Sequence, residues 1–309
     1  MDPVIQTEKL TKYYGSHRGI VDVDMEVAPG EAYGFLGPNG AGKTTMIRTL
    51  LNHIRPTGGR ASIFGIDTTQ DPVAIHRRLG YLPGEFTLYE KLTGAQTIEY
   101  FANLRGGVDQ VYRQQLLERL DVDTSRRFRE YSKGNKQKIG LVVALQHRPE
   151  LLLLDEPTSG LDPLIQQEFY GVIREAKAEG RTIFMSSHIL SEVEKTCDRV
   201  AIIREGRLVR VDRVAALRDM AHHTVEIRFT GPVPVAEFDA LPGVSDVVAE
   251  DHVLRMRVSG TITPVVQAAA RYDLSDFVSR EPTLEETFLA EYGPQAGATE
   301  PAEATTNGR

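Results

Sequence analysis

Residues 37–44 read Gly37-Pro38-Asn39-Gly40-Ala41-Gly42-Lys43-Thr44, and no other stretch restricts the fold of this chain as much. The octet fits G-x-x-x-x-G-K-[ST], a spacing with a chemical reason. Its glycines let backbone N–H groups curl around a phosphate, and the start of a following helix adds a favourable dipole. Lys43 can reach the β- and γ-phosphates of a nucleotide as a point charge, and the Thr44 hydroxyl can ligate Mg²⁺. The pattern requires a buried strand before it and a helix after it. Residues 31–36 form a short apolar run and 43–52 have helical spacing, so both are expected here.

Further apolar runs at 61–64, 151–155, 182–186 and 199–204 read as strands, and 163–179 as a helix between two of them. Strand–helix–strand order with continuous apolar strands implies an α/β fold with a largely parallel sheet covered on both faces. Upstream, 4–9 and 20–28 alternate as strands around a turn at 15–19. From about 90 to 148 apolar residues recur three or four apart, as in Ile98, Phe101 and Ala102, which predicts helices.

Two of these strands end in polar residues. The run 151–154 is four leucines followed by Asp155, Glu156 and Pro157. At the end of a parallel strand beside the phosphate loop, Asp155 would hold Mg²⁺ through water, and Glu156 would polarise an attacking water as general base. Strand 182–186 leads to Ser187 and His188, where the imidazole can donate to a γ-phosphate and hold Glu156 and the water in line.

The chain has 309 residues, about two domains and a tail. A net charge of −7 gives no electrostatic reason for a nucleic-acid partner. The one cysteine, Cys197, rules out an intrachain disulfide and reads as a buried small residue in a reducing compartment. No apolar run approaches the roughly 18–20 residues of a spanning helix, and residues 1–4 lack the basic start of a signal peptide, so a soluble chain is expected. Beyond residue 220 the pattern changes to strand 225–229, helix 235–241, hairpin 244–249 and 253–258, helix 264–272 and strand 274–280. That βαββαβ order is the one of a small ferredoxin-like α+β sandwich. A helix at 283–291 closes it, and 293–309, without aliphatic anchors, reads as a disordered tail.

Together these motifs resemble the ATP-binding subunit of ABC transporters over about residues 1–220, with the order of elements preserved. The resemblance implies ATP and Mg²⁺ as ligands and an ATPase activity. It assigns Tyr14 to the aromatic that stacks on adenine and extends the phosphate loop to Thr45. Residues 159–162, ending in Asp162, match the D-loop that follows the catalytic carboxylate, and His188 matches the switch histidine. The family signature appears as Tyr131-Ser132-Lys133-Gly134-Asn135, departing from the family's LSGGQ at three positions. Ser132 and Gly134 are the retained residues that approach the γ-phosphate from the opposite subunit in that family. Ser132 also reads as the N-cap of a helix running to His147, with Lys133, Lys136 and Lys138 adding positive charge at its tip. Gly84 stands where the family places a glutamine that touches Mg²⁺; either Glu85 takes over part of that role or the loop couples without a side-chain ligand.

The implied architecture is an α/β P-loop nucleotide-binding domain at 1–220, with an inserted helical subdomain at about 85–148. A small α+β domain at 221–292 and the tail follow. The implied partners are a polytopic membrane permease and a second nucleotide-binding subunit, a homodimer being simplest, at the cytoplasmic face of the membrane. The end of the small domain, 280–289, is similar to that of bacterial drug-exporter ATPases. The competing reading is a non-transport ATPase of the same superfamily. A GTPase would need an Asn-Lys-x-Asp element, which the sequence lacks, and a catalytically silent binder would lack Glu156 or His188.

Overall fold

A computed structural model describes residues 2–85, 89–219 and 223–280. The chain divides into two compact units, Met1–Val214 and Ala215–Arg309, a boundary slightly before the one expected from sequence. The helix expected at 283–291 and the tail at 293–309 lie outside the described residues.

The first unit holds two sheets. Strands β1 (Ile5–Tyr14) and β2 (His17–Val27) pair antiparallel, and β1 also pairs with β4 (Gly58–Ile63), which turns back on β5 (Ile66–Asp67). The larger sheet contains β3 (Ala32–Leu36), β6 (Leu79–Leu82), β7 (Leu151–Asp155), β8 (Thr182–Ser187), β9 (Arg199–Arg204) and β10 (Arg207–Arg213). Its order is β10-β9-β3-β8-β7-β6, parallel except for the edge strand β10. Strands β3 and β7 are buried along their whole length, as their unbroken apolar runs require. Full burial of a leucine contributes about 1.5–3 kcal/mol, so Leu151 to Leu154 alone anchor the sheet firmly.

Helix α1 (Lys43–Leu50) buries Met46, Ile47 and Leu50 in a core shared by Ile5, Leu10 and Val23 of the antiparallel sheet and Phe35 and Leu153 of the parallel one. Helices α5 (Lys133–Leu145), α6 (Pro163–Ala178) and α7 (Leu190–Thr196) cover the other face. The approach is close at two glycines. A Cβ on Gly80 would stand 2.1 Å from the Ala144 carbonyl of α5, and one on Gly34 would stand 2.7 Å from Val193 of α7. Between β6 and β7 lie helices α3 (Gly94–Leu104) and α4 (Gln110–Arg119), a 3-10 turn at Phe128–Glu130, and α5. The short helix α2 (Pro72–Arg77) precedes β6. Thr93 and Gln96 form a capping box at α3, and Asp109 caps α4, each worth about 1 kcal/mol.

The second unit begins within helix α8 (Val214–Asp219) and continues as β11 (His223–Phe229), α9 (Val235–Asp239), β12 (Val244–Glu250), β13 (Val253–Val258), α10 (Thr263–Ala269) and β14 (Leu274–Arg280). Its sheet is antiparallel with order β12-β13-β11-β14. Val225, Ile227, Phe229, Leu254, Met256 and Val258 project from one face onto Phe238 and Val265 of the helices.

His147, just past α5, has its Nε2 3.1 Å from the Leu79 carbonyl oxygen. Burial, and then the charges of Arg105 and Arg181, push its pKa down to about 4. The folded state therefore keeps this imidazole neutral where the unfolded chain protonates it. The resulting stability is present above pH ~6.5 and is lost as the pH falls through 4, with a slope of at most ~1.4 kcal/mol per pH unit. Urea unfolding between pH 4 and 7 should show a flatter pH dependence for His147→Gln than for wild type; parallel curves would contradict the burial.

Candidate functional site

Strand β3 runs between β8 and β9 near the middle of the sheet and delivers Gly37 at its tip. The loop is held by its backbone: Gly37 N–H donates to Ser187 O (3.2 Å), and Gly206 N–H to Ala41 O (2.9 Å). Gly42 has φ 112° and precedes α1 without a side-chain cap, leaving first-turn N–H groups free for an anion. No other residue fits at Gly42, since a Cβ there would stand 2.6 Å from the Gly19 carbonyl oxygen. Lys43, only 5 % exposed, folds back over the loop and donates to Gly37 O (2.7 Å) and Pro38 O (3.1 Å).

Strand β7 brings Asp155 and Glu156 beside this loop. Asp155 is buried; its Oδ1 accepts from the Ser186 hydroxyl of β8, and its Oδ2 has no partner among the described residues. That free oxygen faces Gly84, where a Cβ would lie 3.3 Å away. Glu85 beside it is exposed. Glu156 adopts φ 49°, a left-handed conformation costing about 1 kcal/mol or more outside glycine. Its N–H is gripped by Ser186 O (3.2 Å) and Ser186 Oγ (3.1 Å). From this turn its Oε1 lies 3.3 Å from Lys43 Nζ and 3.3 Å from His188 Nδ1. Three residues widely spaced in sequence thus meet where β3, β7 and β8, neighbours in one sheet, end.

Tyr14, Asn39, Gly40, Lys43, Thr44, Thr45 and Glu156 border one cleft, joined by Arg18 and Gly19, which the sequence did not single out. The Tyr14 ring, about half exposed, forms one wall, its hydroxyl 3.5 Å from Thr45 Oγ1 and the Lys12 ammonium 5.4 Å from the ring centre. Gly37, Pro38 and Ala41 serve the loop through their backbones. The donor set suits Mg²⁺, which takes few protein ligands and completes its shell with phosphate and water. Thr44 would offer a hydroxyl and Asp155 its unpartnered oxygen. No group of three His, Cys, Asp or Glu side chains that would form an all-protein metal cage occurs among the described residues.

Ser132, Gly134 and Asp162 do not border that cleft. Ser132 caps α5, its Oγ accepting from Asn135 N–H at 3.3 Å, and Asp162 caps α6 through Leu164 and Ile165 N–H at 3.1 Å. Gly134 lies against the D-loop segment: a Cβ there would stand 2.6 Å from Gly160 O. The three lysines do not gather at the helix tip. Lys133 Nζ donates to Ser159 Oγ (2.8 Å), Lys136 lies over the Phe128 ring, and Lys138 reaches Asp121. The reason is helical geometry: Lys136 shares a face with Lys133 but sits nearly one turn further along, and Lys138, five residues on, points roughly 140° away. Sequence reasoning also missed Gln137, which is buried and donates to Glu156 O (3.2 Å) and Pro157 O (3.1 Å). Gln137 lies between Lys136 and Lys138 in the sequence, so no local pattern marks it as buried.

Comparison with known proteins adds to this geometry. The family profile described as ABC transporter matches residues 20–159. The bacitracin transport ATP-binding protein BcrA of Enterococcus faecalis is 34% identical over 260 residues, covering 83% of this chain and 84% of that protein. The daunorubicin resistance ATP-binding protein DrrA3 of Streptomyces coeruleorubidus is 33% identical over 303 residues, covering 93% and 95%. Among solved structures, an ATP binding subunit of an ABC transporter aligns with TM-score 0.64 and 31% identity over 70% of this chain and 92% of that one. A dimeric cassette bound to ADP and Pi aligns with TM-score 0.62 at 21% identity, over 68% and 98%, a likeness of fold.

The Lys133–Ser159 contact has a measurable consequence. An exposed hydrogen bond of this kind contributes up to about 1 kcal/mol. Lys133→Ala and Ser159→Ala should each lower the unfolding free energy by that order, and the double variant by no more than either alone. Strictly additive losses in urea titrations would show that the contact is not formed in solution.

Proposed function

The chain belongs to the family of ABC transporter ATP-binding subunits, and from that premise we propose that it hydrolyses Mg²⁺-bound ATP in a dimer to power export through a separate membrane permease. The observation that carries the chemistry is the Glu156 carboxylate, poised between Lys43 and His188 one residue after a buried aspartate with a free oxygen. In the reading we favour, an incoming γ-phosphate draws Lys43 away from Glu156. The freed carboxylate then polarises the attacking water, and His188 orients both. Thr44 and Asp155 would hold Mg²⁺, which would supply neutralisation of phosphate charge. Tyr14 would stack on the base, and the uncapped first turn of α1 would cradle the β-phosphate.

The chain carries one phosphate loop and one signature-like segment, so the composite site is proposed to form between two copies. Each copy's Ser132 and Gly134 would close on the other's nucleotide, with Asp162 at the seam. The stretch from α3 to α5 is proposed as the helical subdomain that faces the permease, on the cytoplasmic side of the membrane. Among the described residues no helix is long and apolar enough to cross a membrane, which agrees with a separate permease. We read the second unit as ferredoxin-like, supported by its βαββαβ order and its β12-β13-β11-β14 sheet. Export of a drug-like compound is supported by the similarity to BcrA and DrrA3 over most of both chains.

Glu156→Gln removes the base while keeping shape. Its turnover should fall by roughly 10²-fold or more, with ATP affinity within about twofold of wild type. Near-normal turnover in steady-state assays would refute the assignment of Glu156.

A further inference from the structure

The hydrogen-bond ladder between β7 and β8 ends at Asp155 and Ser186. Beyond it, Glu156 turns left-handed and His188 stands 43 % exposed, yet their side chains meet at 3.3 Å. Something past the ladder must keep the two strand ends from drifting apart. Glu192, in the first turn of α7, is in a position to do so. It is 4 % exposed, and each of its carboxylate oxygens accepts from a buried hydroxyl: Oε1 from Thr158 Oγ1, and Oε2 from Ser187 Oγ at 2.6 Å. Thr158 lies two residues after Glu156, and Ser187 immediately before His188.

A carboxylate buried without a cation is costly, and no cation pairs with Glu192 among the described residues. Two hydroxyl donors and the positive end of α7 offset that cost. An apolar residue could fill the same space, but it could not hold both loops by directed bonds. The anchorage continues on either side. Ser187 Oγ also takes the Ile189 N–H (2.9 Å), and Thr196 Oγ1 ties back to Glu192 O (2.7 Å). Ser159 N–H bonds to Glu156 O (3.1 Å) and Leu161 N–H to Thr158 O (3.0 Å), so the segment after Glu156 is a compact turn. A shift at Thr158 is therefore transmitted to the Glu156 carbonyl.

We propose that Glu192 is a positioning residue for ATP hydrolysis: it brackets Thr158 and Ser187 and thereby sets the spacing between Glu156 and His188. The proposal rests on the hydrolytic reading given above. Glu192 does not border the cleft lined by Tyr14, Lys43 and Glu156, and acts through His188 and the turn that carries Glu156. Its loss should lower kcat and leave KM for ATP nearly unchanged, because Tyr14 and α1 belong to other elements and the phosphate loop meets this bracket through the Gly37 N–H to Ser187 O backbone bond, which the substitution does not remove.

The test is a cycle on the full chain, using single-turnover hydrolysis of radiolabelled ATP. Glu192→Ala, and separately Thr158→Val, which deletes one hydroxyl with little change of shape, are measured alone and in a His188→Ala background. In the wild-type background the rate should fall about tenfold with KM within about twofold, the scale of a misplaced base. In the His188→Ala background the further loss should be less than about twofold, because the spacing no longer matters once His188 is gone. Equal losses in both backgrounds, or an unchanged rate, would overturn the proposal. If Glu192→Ala does not fold, the Thr158→Val cycle decides between the same two outcomes. Glu156→Gln is run alongside: should it turn over like wild type, the hydrolytic reading fails together with the proposal. Should it be inactive while the Glu192 cycle is multiplicative, the positioning role alone fails.

Discussion

Lys43 has almost no contact with solvent, so its charge must be answered within the protein, and Glu156 is the carboxylate that answers it. This pairing ties the phosphate loop to the end of the Asp-Glu strand, across the intervening β8. It also explains why Glu156 sits in a left-handed conformation, from which its carboxylate reaches both Lys43 and His188. Much of the surrounding structure serves this contact. The parallel order β3-β8-β7 brings the three strand ends together. Ser186 grips the Glu156 amide, and Gln137 of α5 holds the Glu156 and Pro157 carbonyls from the other side. In the proposed function a nucleotide phosphate would compete for the same ammonium group, so binding and release of the base would be one event.

What could be read from the sequence was what short contiguous motifs encode. The phosphate loop, the leucine strand ending in Asp155 and Glu156, and the strand ending before His188 each declare themselves by local spacing, and the structure brings them to one end of the sheet. Strand and helix order in the second unit was also legible, because a two-residue period with turns between is local information. The pairing of β1 with β4 was not, since it joins segments separated by α1 and depends on a shared core. Strand β10 was missed because Arg207, Arg210 and Arg213 interrupt its apolar pattern at an exposed edge. The lysines of α5 were misplaced for a related reason: their direction depends on helix azimuth, and Lys133 finds Ser159 across a turn distant in sequence. Glu192 looks like an ordinary surface acid until the fold buries it.

The departures from the family pattern have different physical weights. Gly84 packs closely on Asp155, where a Cβ would stand 3.3 Å from Oδ2, and as glycine it brings no side-chain ligand to a metal that Asp155 would hold. Lys133 is accommodated within its own chain, its stem on Gly160 and its ammonium on Ser159. The retained elements, Ser132 as helix cap and Gly134 in close backbone contact, keep the tip of α5 small and rich in free N–H groups. In the proposed dimer that tip would approach a phosphate held by the other copy, and side-chain bulk placed there would prevent it.

One measurement bears most directly on whether a composite site forms between two copies of the chain. Sedimentation velocity of the full chain with ATP and Mg²⁺ is compared between Glu156→Gln, which is expected to retain its nucleotide, and the same variant carrying Ser132→Arg. A site shared across the interface predicts an ATP-dependent dimer for the first and a monomer that still binds ATP for the second. Normal ATP-driven dimerisation with arginine at position 132 would contradict it.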